Sequence, residues 1–341
     1  VRNYMKETKS FKWLAKLVRC PGRWGDLRSA DLPIHPYLLG VMLGDGCLTR
    51  GMIIANSDPD VARAVERVIP VGVGFNRVLV EGWRGGNDKY RLHLTNPRQG
   101  GHVKNPLREL LDDLGLDCSR AATKFIPPVY LHWAARKARL KLLAGLMDTD
   151  GYMGLAGFDY ISKSPRLADG VARLARSVGL AAYITTTEKY SQNGTGGTYH
   201  RVSISGDCSI IPTRRKNKQA PPRKQIKNVL RTGFTVEILP EAEYFGWEVD
   251  GDHRYLMADH TLMHNSGKGS VELHLLKIFL ARGDDAVIVT PSIEVIRGYL
   301  ERCGATPEML AGSDRSLIEM AEQIRVHTPV RLRNAIKRED L

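Results

Sequence analysis

The stretch Leu38-Leu39-Gly40-Val41-Met42-Leu43-Gly44-Asp45-Gly46 returns later in the chain as Leu143-Ala144-Gly145-Leu146-Met147-Asp148-Thr149-Asp150-Gly151. An internal repeat sets the architecture and takes precedence over local structure. The surroundings repeat as well. Met52-Ile53-Ile54-Ala55-Asn56-Ser57-Asp58-Pro59 leads into a helical pattern from Val61 to Val68, and Phe158-Asp159-Tyr160-Ile161-Ser162-Lys163-Ser164-Pro165 leads into one from Leu167 to Val178. Each unit reads as helix, strands, helix, so the pair predicts a pseudo-twofold α+β domain over residues 31–212.

A glycine inside a helix costs about 1 kcal/mol relative to alanine, so two of them one turn apart need a compensating gain. Gly40 with Gly44, and Gly145 with Thr149, make a smooth stripe that lets two helix backbones approach, which predicts that the two copies pack on each other. Both helices end in aspartate followed by glycine, a residue suited to the left-handed C′ position. Asp45 and Asp150 therefore face the negative ends of two helix dipoles, and bringing them together compounds the repulsion. A positive partner is expected between them. Mg²⁺, a hard cation that takes oxygen ligands, fits that place and suits phosphodiester chemistry. One such string alone reads as a buried helix with a glycine stop; two copies in matching surroundings favour the site.

On these residues the repeat resembles the LAGLIDADG homing endonucleases. The second copy departs from the signature only at Met147 and Thr149, while the first has Leu43 in place of the motif's first acid. The likeness extends through Lys124-Phe125-Ile126-Pro127, Leu140-Lys141-Leu142 and Leu167 to Leu180. It implies two αββαββα units, Asp45 and Asp150 as metal-binding catalytic acids, and a double-stranded DNA target read by a saddle of antiparallel strands. It also makes Lys124 and Lys163 candidates for stabilising charge near the scissile phosphate. Composition agrees with a polyanionic partner, since 50 basic against 37 acidic side chains give a net charge of +13. A hydrophobic share of 43% excludes a disordered chain, and no apolar run is long enough for a membrane span. With no signal-peptide pattern, a cytoplasmic protein is expected. The five scattered cysteines, without a C-x-x-C pair, argue against a disulfide framework or a cysteine-based zinc site.

A second informative stretch runs from Asp252 to Ser266 and ends in His264-Asn265-Ser266. An asparagine side-chain nitrogen can attack its own carbonyl, closing a succinimide and breaking the following peptide bond. Histidine can activate that amide and protonate the leaving nitrogen, and His264 and His253 are the candidates. Ser266 offers a hydroxyl that can accept an acyl group. Three histidines nearby would also suit zinc, but that leaves the Asn-Ser step unexplained. The stretch resembles the C-terminal splicing blocks of inteins, together with Tyr244-Phe245-Gly246-Trp247-Glu248-Val249-Asp250. By that match Asn265 is the last intein residue and Ser266 the first extein residue; Gly246 replaces an aspartate common at its position.

Across the junction, Ser266-Gly267-Lys268-Gly269-Ser270 is the second half of a phosphate-binding loop, and Leu262 stands where the full pattern requires glycine. Excision up to Asn265 would restore the loop, with ATP or another nucleotide as cofactor of the spliced extein only. Four pieces are expected. Residues 1–30 are a remnant of the N-terminal splicing region and 31–212 the endonuclease. Residues 213–265 form a basic linker and an all-β half Hint (splicing) domain, and 266–341 start an α/β P-loop domain. The linker reading rests on the basic, acid-free run from Thr213 to Arg231 around Pro221-Pro222. Short strands are expected at 234–239, 244–249, 255–257 and 261–263, with a turn at Gly251-Asp252. Beyond them, helices are expected at 271–281 and 293–302 around a strand at 286–290. No splicing nucleophile with its T-x-x-H block precedes Asp31, so both ends are expected to be truncated, with the missing N-terminal splicing region and N-extein as partners. Two other readings remain open: a DNA-binding module that has lost cleavage, and a P-loop protein with an inserted DNA-binding domain.

Overall fold

The computed structural model describes residues 8–22, 26–49, 51–80, 89–96, 104–117, 119–155, 157–190, 196–237 and 254–264, with Lys6 and the pairs 288–289 and 326–327. The chain divides into two compact units, Val1–Gly246 with Arg254–Met263, and Trp247–His253 with His264–Leu341.

In the first unit, α1 (Lys9–Leu14) and β1 (Leu17–Val18) precede the repeat. The first half of the repeat is α2 (Pro36–Asp45), β2 (Gly46–Cys47), β3 (Ile53–Ile54), α3 (Pro59–Glu66), β4 (Gly74–Val80), β5 (Lys89–Thr95) and α4 (Pro106–Asp113). A short α5 (Pro128–His132) leads into the second half. This comprises α6 (Arg136–Thr149), β6 (Gly151–Gly154), β7 (Gly157–Ser162), α7 (Pro165–Ser177), β8 (Ala181–Tyr190) and β9 (Gly196–Ser205). Each half makes a four-stranded antiparallel sheet with the same order, β2-β3-β5-β4 and β6-β7-β9-β8, so the expected pseudo-twofold pattern is a property of the backbone.

The helices begin where capping chemistry dictates. Asp58, Asn105 and Ser164 each accept backbone N–H bonds into the first turn, and each is followed by a proline, whose fixed φ suits position N1. α7 buries Leu167, Val171, Leu174 and Ala175 at helical spacing, whereas α2 is buried from Pro36 to Leu43 and so lies in the core of the first unit. One hydrophobic core runs from Leu32 to Ile211 and draws on both halves. Each fully buried leucine or methionine in it contributes about 1.5–3 kcal/mol.

α2 and α6 cross where the glycines lie. A Cβ on Gly40 would stand 2.4 Å from the Leu142 carbonyl oxygen, and one on Gly145 would stand 2.4 Å from that of Tyr37. The glycines just past the two helices differ from the sequence expectation. Gly46 has φ −81° and ψ 138°, an extended conformation, and it opens β2 rather than a left-handed cap. Glycine is needed there for space, because a Cβ on Gly46 would lie 2.3 Å from the Met42 carbonyl oxygen, and one on Gly151 would lie 2.7 Å from that of Met147.

The basic run after residue 212 is not an extended linker at its start. Thr213 and Lys218 are buried, and Lys216–Lys218 form a 3₁₀ turn seated on the second half of the repeat. β10 (Arg231–Thr232) then pairs antiparallel with β1, Arg19 bridges Thr261, and the Cys20 amide donates to the His260 carbonyl over 2.9 Å. β11 (Arg254–Leu256) and β12 (Leu262–His264) form a two-stranded sheet close to the expected positions. Residues 234–237 form no strand, and the expected strand at 244–249 and turn at 251–252 lie outside the described residues. In the second unit, β13 (Ile288–Val289) pairs in parallel with β14 (Val326–His327), and β13 falls inside the strand expected at 286–290. The helices expected at 271–281 and 293–302 lie outside the described residues. No helix among the described residues is long and apolar enough to cross a membrane.

Candidate active site

Asp45 ends α2 and Asp150 caps α6, so the crossing at Gly40 and Gly145 carries both carboxylates to the same end of the helix pair. Asp45 is half-buried and accepts a 2.7 Å hydrogen bond from Asn56 Nδ2. Burial raises its pKa, while Asn56, Lys218 and Lys124 pull it down. Asp150 is more open to solvent as a residue, yet the protein packed around its carboxyl and then the Asp45 carboxylate push its pKa up to about 6 against Lys124 and Lys218. Asp150 therefore senses the Asp45 carboxylate, as expected for a shared centre.

Two lysines occupy equivalent places beneath them. Lys124 Nζ donates to the carbonyls of Met42, Leu43, Gly44 and Gly46 over 2.7–3.2 Å, and Lys218 Nζ donates to those of Met147, Asp148 and Thr149 over 2.8–3.0 Å. Each ammonium satisfies the orphan carbonyls of one helix end and neutralises its negative pole. Burial lowers the pKa of both, and that of Lys218 falls to about 8. Part of the positive charge expected between the acids is thus supplied by the chain. Lys124, expected as stabilising charge near the scissile phosphate, has its ammonium buried and bonded to four carbonyls. Lys163 is exposed, and it is not among the charges that shift either acid.

Asp148, the motif's other acid, turns away from the pair. It is fully buried and accepts bonds from the Arg214 and Arg215 amides, at 2.7 and 3.1 Å, and from the Tyr37 hydroxyl at 2.9 Å. It latches the 213–218 segment onto α6, so Leu43, buried at the equivalent place in the first half, removes nothing from the acid pair.

Lys218, Asn56 and Tyr160 are residues that sequence reasoning missed. A signal for the first was available, since Lys124-Phe125-Ile126-Pro127-Pro128 returns as Lys218-Gln219-Ala220-Pro221-Pro222. Tyr160 is fully buried, its hydroxyl has no hydrogen-bond partner, and both acids act on it electrostatically. Such an orphan beside two carboxylates fits a site that takes up water or a cation. Among the described residues no group of three or more His, Cys, Asp or Glu side chains converges. A cation here would take two carboxylates from the protein and its remaining oxygens from water, backbone or phosphate, which is the habit of Mg²⁺.

Residues 137–210 match the family model for the LAGLIDADG-like domain. Over those residues the second half of the repeat is similar to a LAGLIDADG-like domain. Among curated proteins, the chain is 27% identical over 275 residues to a replicative DNA helicase DnaB of Mycobacterium intracellulare, covering 75% of this chain and 41% of that protein. It is 23% identical over 207 residues to a probable translation initiation factor IF-2 of Methanocaldococcus jannaschii, covering 60% of this chain and 15% of that one. The chain thus spans less than half the length of the curated relatives it matches. A crystal structure of I-DmoI in complex with DNA and Mn overlaps 50% of this chain and 88% of its own, with 16% identity and a TM-score of 0.32. Outside residues 137–210, His253, Asn265 and Ser266, expected as splicing residues, lie beyond the described residues, as do Gly267, Lys268, Gly269 and Ser270, expected in a phosphate-binding loop. His264 is placed only as the last residue of β12.

Proposed function

We propose that the chain carries a site-specific, metal-dependent DNA endonuclease set inside a protein-splicing insert. The observation that carries the nuclease reading is the acid pair, Asp45 with Asp150, held at one end of two crossing helices whose carbonyls are each capped by a buried lysine. In this reading Asp45 and Asp150 would hold Mg²⁺, which would supply Lewis acidity toward the phosphodiester and an activated water. Lys124 and Lys218 fix the helix ends and so the spacing of the acids. Asn56 orients Asp45 and favours its charged form. The positive balance of the chain supplies the non-specific part of DNA affinity.

Two observations support the insert reading. Segments before and after the repeat pair with each other, β1 with β10 and Arg19 with Thr261, so the repeat stands as an excursion from a small module built by both flanks. Furthermore, a helicase and a probable initiation factor each match 60% or more of this chain, as a mobile insert carried by both would explain. The proposed division is endonuclease over 31–212, splicing region over 213–265 and the start of the interrupted P-loop protein over 266–341. Asn265 would cyclise with help from His264 and His253, release Ser266, and leave Gly267, Lys268, Gly269 and Ser270 to complete a nucleotide-binding loop.

Two experiments test these parts. The first incubates the chain with Mg²⁺ and DNA in which the insert's coding sequence has been deleted from its gene; double-strand cuts are expected. A mobility shift without nicking would instead leave a DNA-binding module. The second follows the mass of the parent and of Asn265→Ala over time. Slow loss of the 265–266 bond in the parent alone is expected, and equal stability of both would end the splicing assignment.

A further inference from the structure

A cleft of about 360 Å³ opens beside His35, the residue that precedes α2, at the far end of that helix from Asp45. Arg63 from α3, Arg67 just past its end, Lys141 from α6, and Arg214 and Lys216 from the segment latched by Asp148 all line it. The one acid among its lining residues, Asp60, is taken up by an ion pair with Arg63. Cations from three separate elements thus share one concavity with little to balance them. Two are anchored. Lys141 donates to Ser29 Oγ over 3.1 Å, and Arg214 lies 5.9 Å from the Tyr37 ring centroid while its amide is bonded to Asp148. His35 sits among them with a buried Nδ1 that has no hydrogen-bond partner. Burial lowers its pKa to about 4, and the charges of Lys141 and Arg214 push in the same direction. No side chain caps the start of α2, so the positive pole of that helix adds to the field.

We propose that this cleft binds a phosphate-bearing anion, separately from the acid pair and independently of the nuclease reading. Guanidinium groups match phosphate oxygens with paired donors, and a multiply charged ligand is what this excess of cations around one space would hold. The volume is at the small end of the range for small-molecule sites and accommodates a pyrophosphate-sized group. The phosphate can come from a free anion or from the backbone of bound DNA.

The probe is sodium pyrophosphate, titrated calorimetrically into the full chain in EDTA at fixed ionic strength, with thermal unfolding in parallel. Arg67→Ala and Lys216→Ala remove two exposed cations, and equal melting of the variants and the parent without anion confirms that folding is untouched. The parent is expected to bind and to melt at higher temperature with pyrophosphate, and each substitution is expected to weaken binding by about tenfold, equivalent to 1.4 kcal/mol. A duplex lacking any cleavage site separates the sources. If the same substitutions weaken duplex binding and pyrophosphate competes for it, the ligand is the DNA backbone. If only pyrophosphate binding changes, it is a free anion. Absence of pyrophosphate binding by the parent, or equal binding by parent and variants, would overturn the proposal.

Discussion

In the first half of the repeat Asn56 donates to Asp45; in the second, the same position in the register is Ser162, whose hydroxyl accepts from the Ser164 amide as the Asn56 side-chain oxygen does from that of Asp58. Likewise Ile54 lies opposite Gly46 where Tyr160 lies opposite Gly151. The halves therefore share what fixes the backbone, namely the glycine crossing, the lysine clamp and the capped second helix. They differ in the polar surroundings of each acid. One acid accepts a bond from an amide that partly offsets the upward push of burial, and the other is left to burial and to its neighbour's charge. Pseudo-symmetry in this fold constrains where the acids stand and leaves their proton affinities free to diverge.

The largest effects should come from the shared parts. Gly40→Ala and Gly145→Ala each press a methyl group onto a backbone oxygen of the opposite helix. We expect each to cost about 3 kcal/mol, seen as a fall of roughly 6–12 °C in thermal unfolding. A loss in one half but not the other would break the symmetry of the crossing. Lys124→Met and Lys218→Met should each cost about 2–3 kcal/mol by stranding buried carbonyls, with Lys124 the larger because it serves four acceptors against three.

The lysine clamp has a pH signature. Lys218 has a folded pKa of about 8, below its ordinary 10.5, so between those values the folded chain has shed a proton that the unfolded chain still holds. Its contribution to stability therefore rises with pH across that window, and Lys218→Met should lack that part of the rise in denaturant unfolding at pH 7.5 and 9.5.

Asp150 sharpens the difference between the halves. Its folded pKa, about 6, lies above the ordinary 3.8, so its contribution is fully present below the lower value and is lost as pH rises through the higher one. Without divalent cations, Asp150→Asn should stabilise the chain at pH 7 by about 1 kcal/mol after allowance for solvent screening. Asp45→Asn should stabilise it less, because Asn56 already favours the charged form. The smallest change is expected from Tyr160→Phe, within about 1 kcal/mol in the metal-free chain, since the lost hydroxyl has no partner there.

Much of this was legible in the sequence. The repeat gave the two matching sheets, the small-residue stripe gave the helix crossing, and the paired Asp-Gly ends gave the acid centre. What escaped was set by tertiary contact. Gly46 and Gly151 reads as helix stops in one dimension, but their role is clearance against the preceding turn. Lys218 sat in a basic run whose composition suggests a solvated linker, and only its shared spacing with Lys124 relative to a Pro-Pro pair marks it as buried. Tyr160 looks like any inward strand residue until the acids above it are located.

The most direct test is Mg²⁺-dependent cutting of the insert-less gene by Asp45→Asn and Asp150→Asn, each compared with the parent. Our account predicts that the parent cuts both strands and that either substitution alone abolishes double-strand cutting while DNA binding persists. Cutting of both strands at the parental rate by either variant would contradict it.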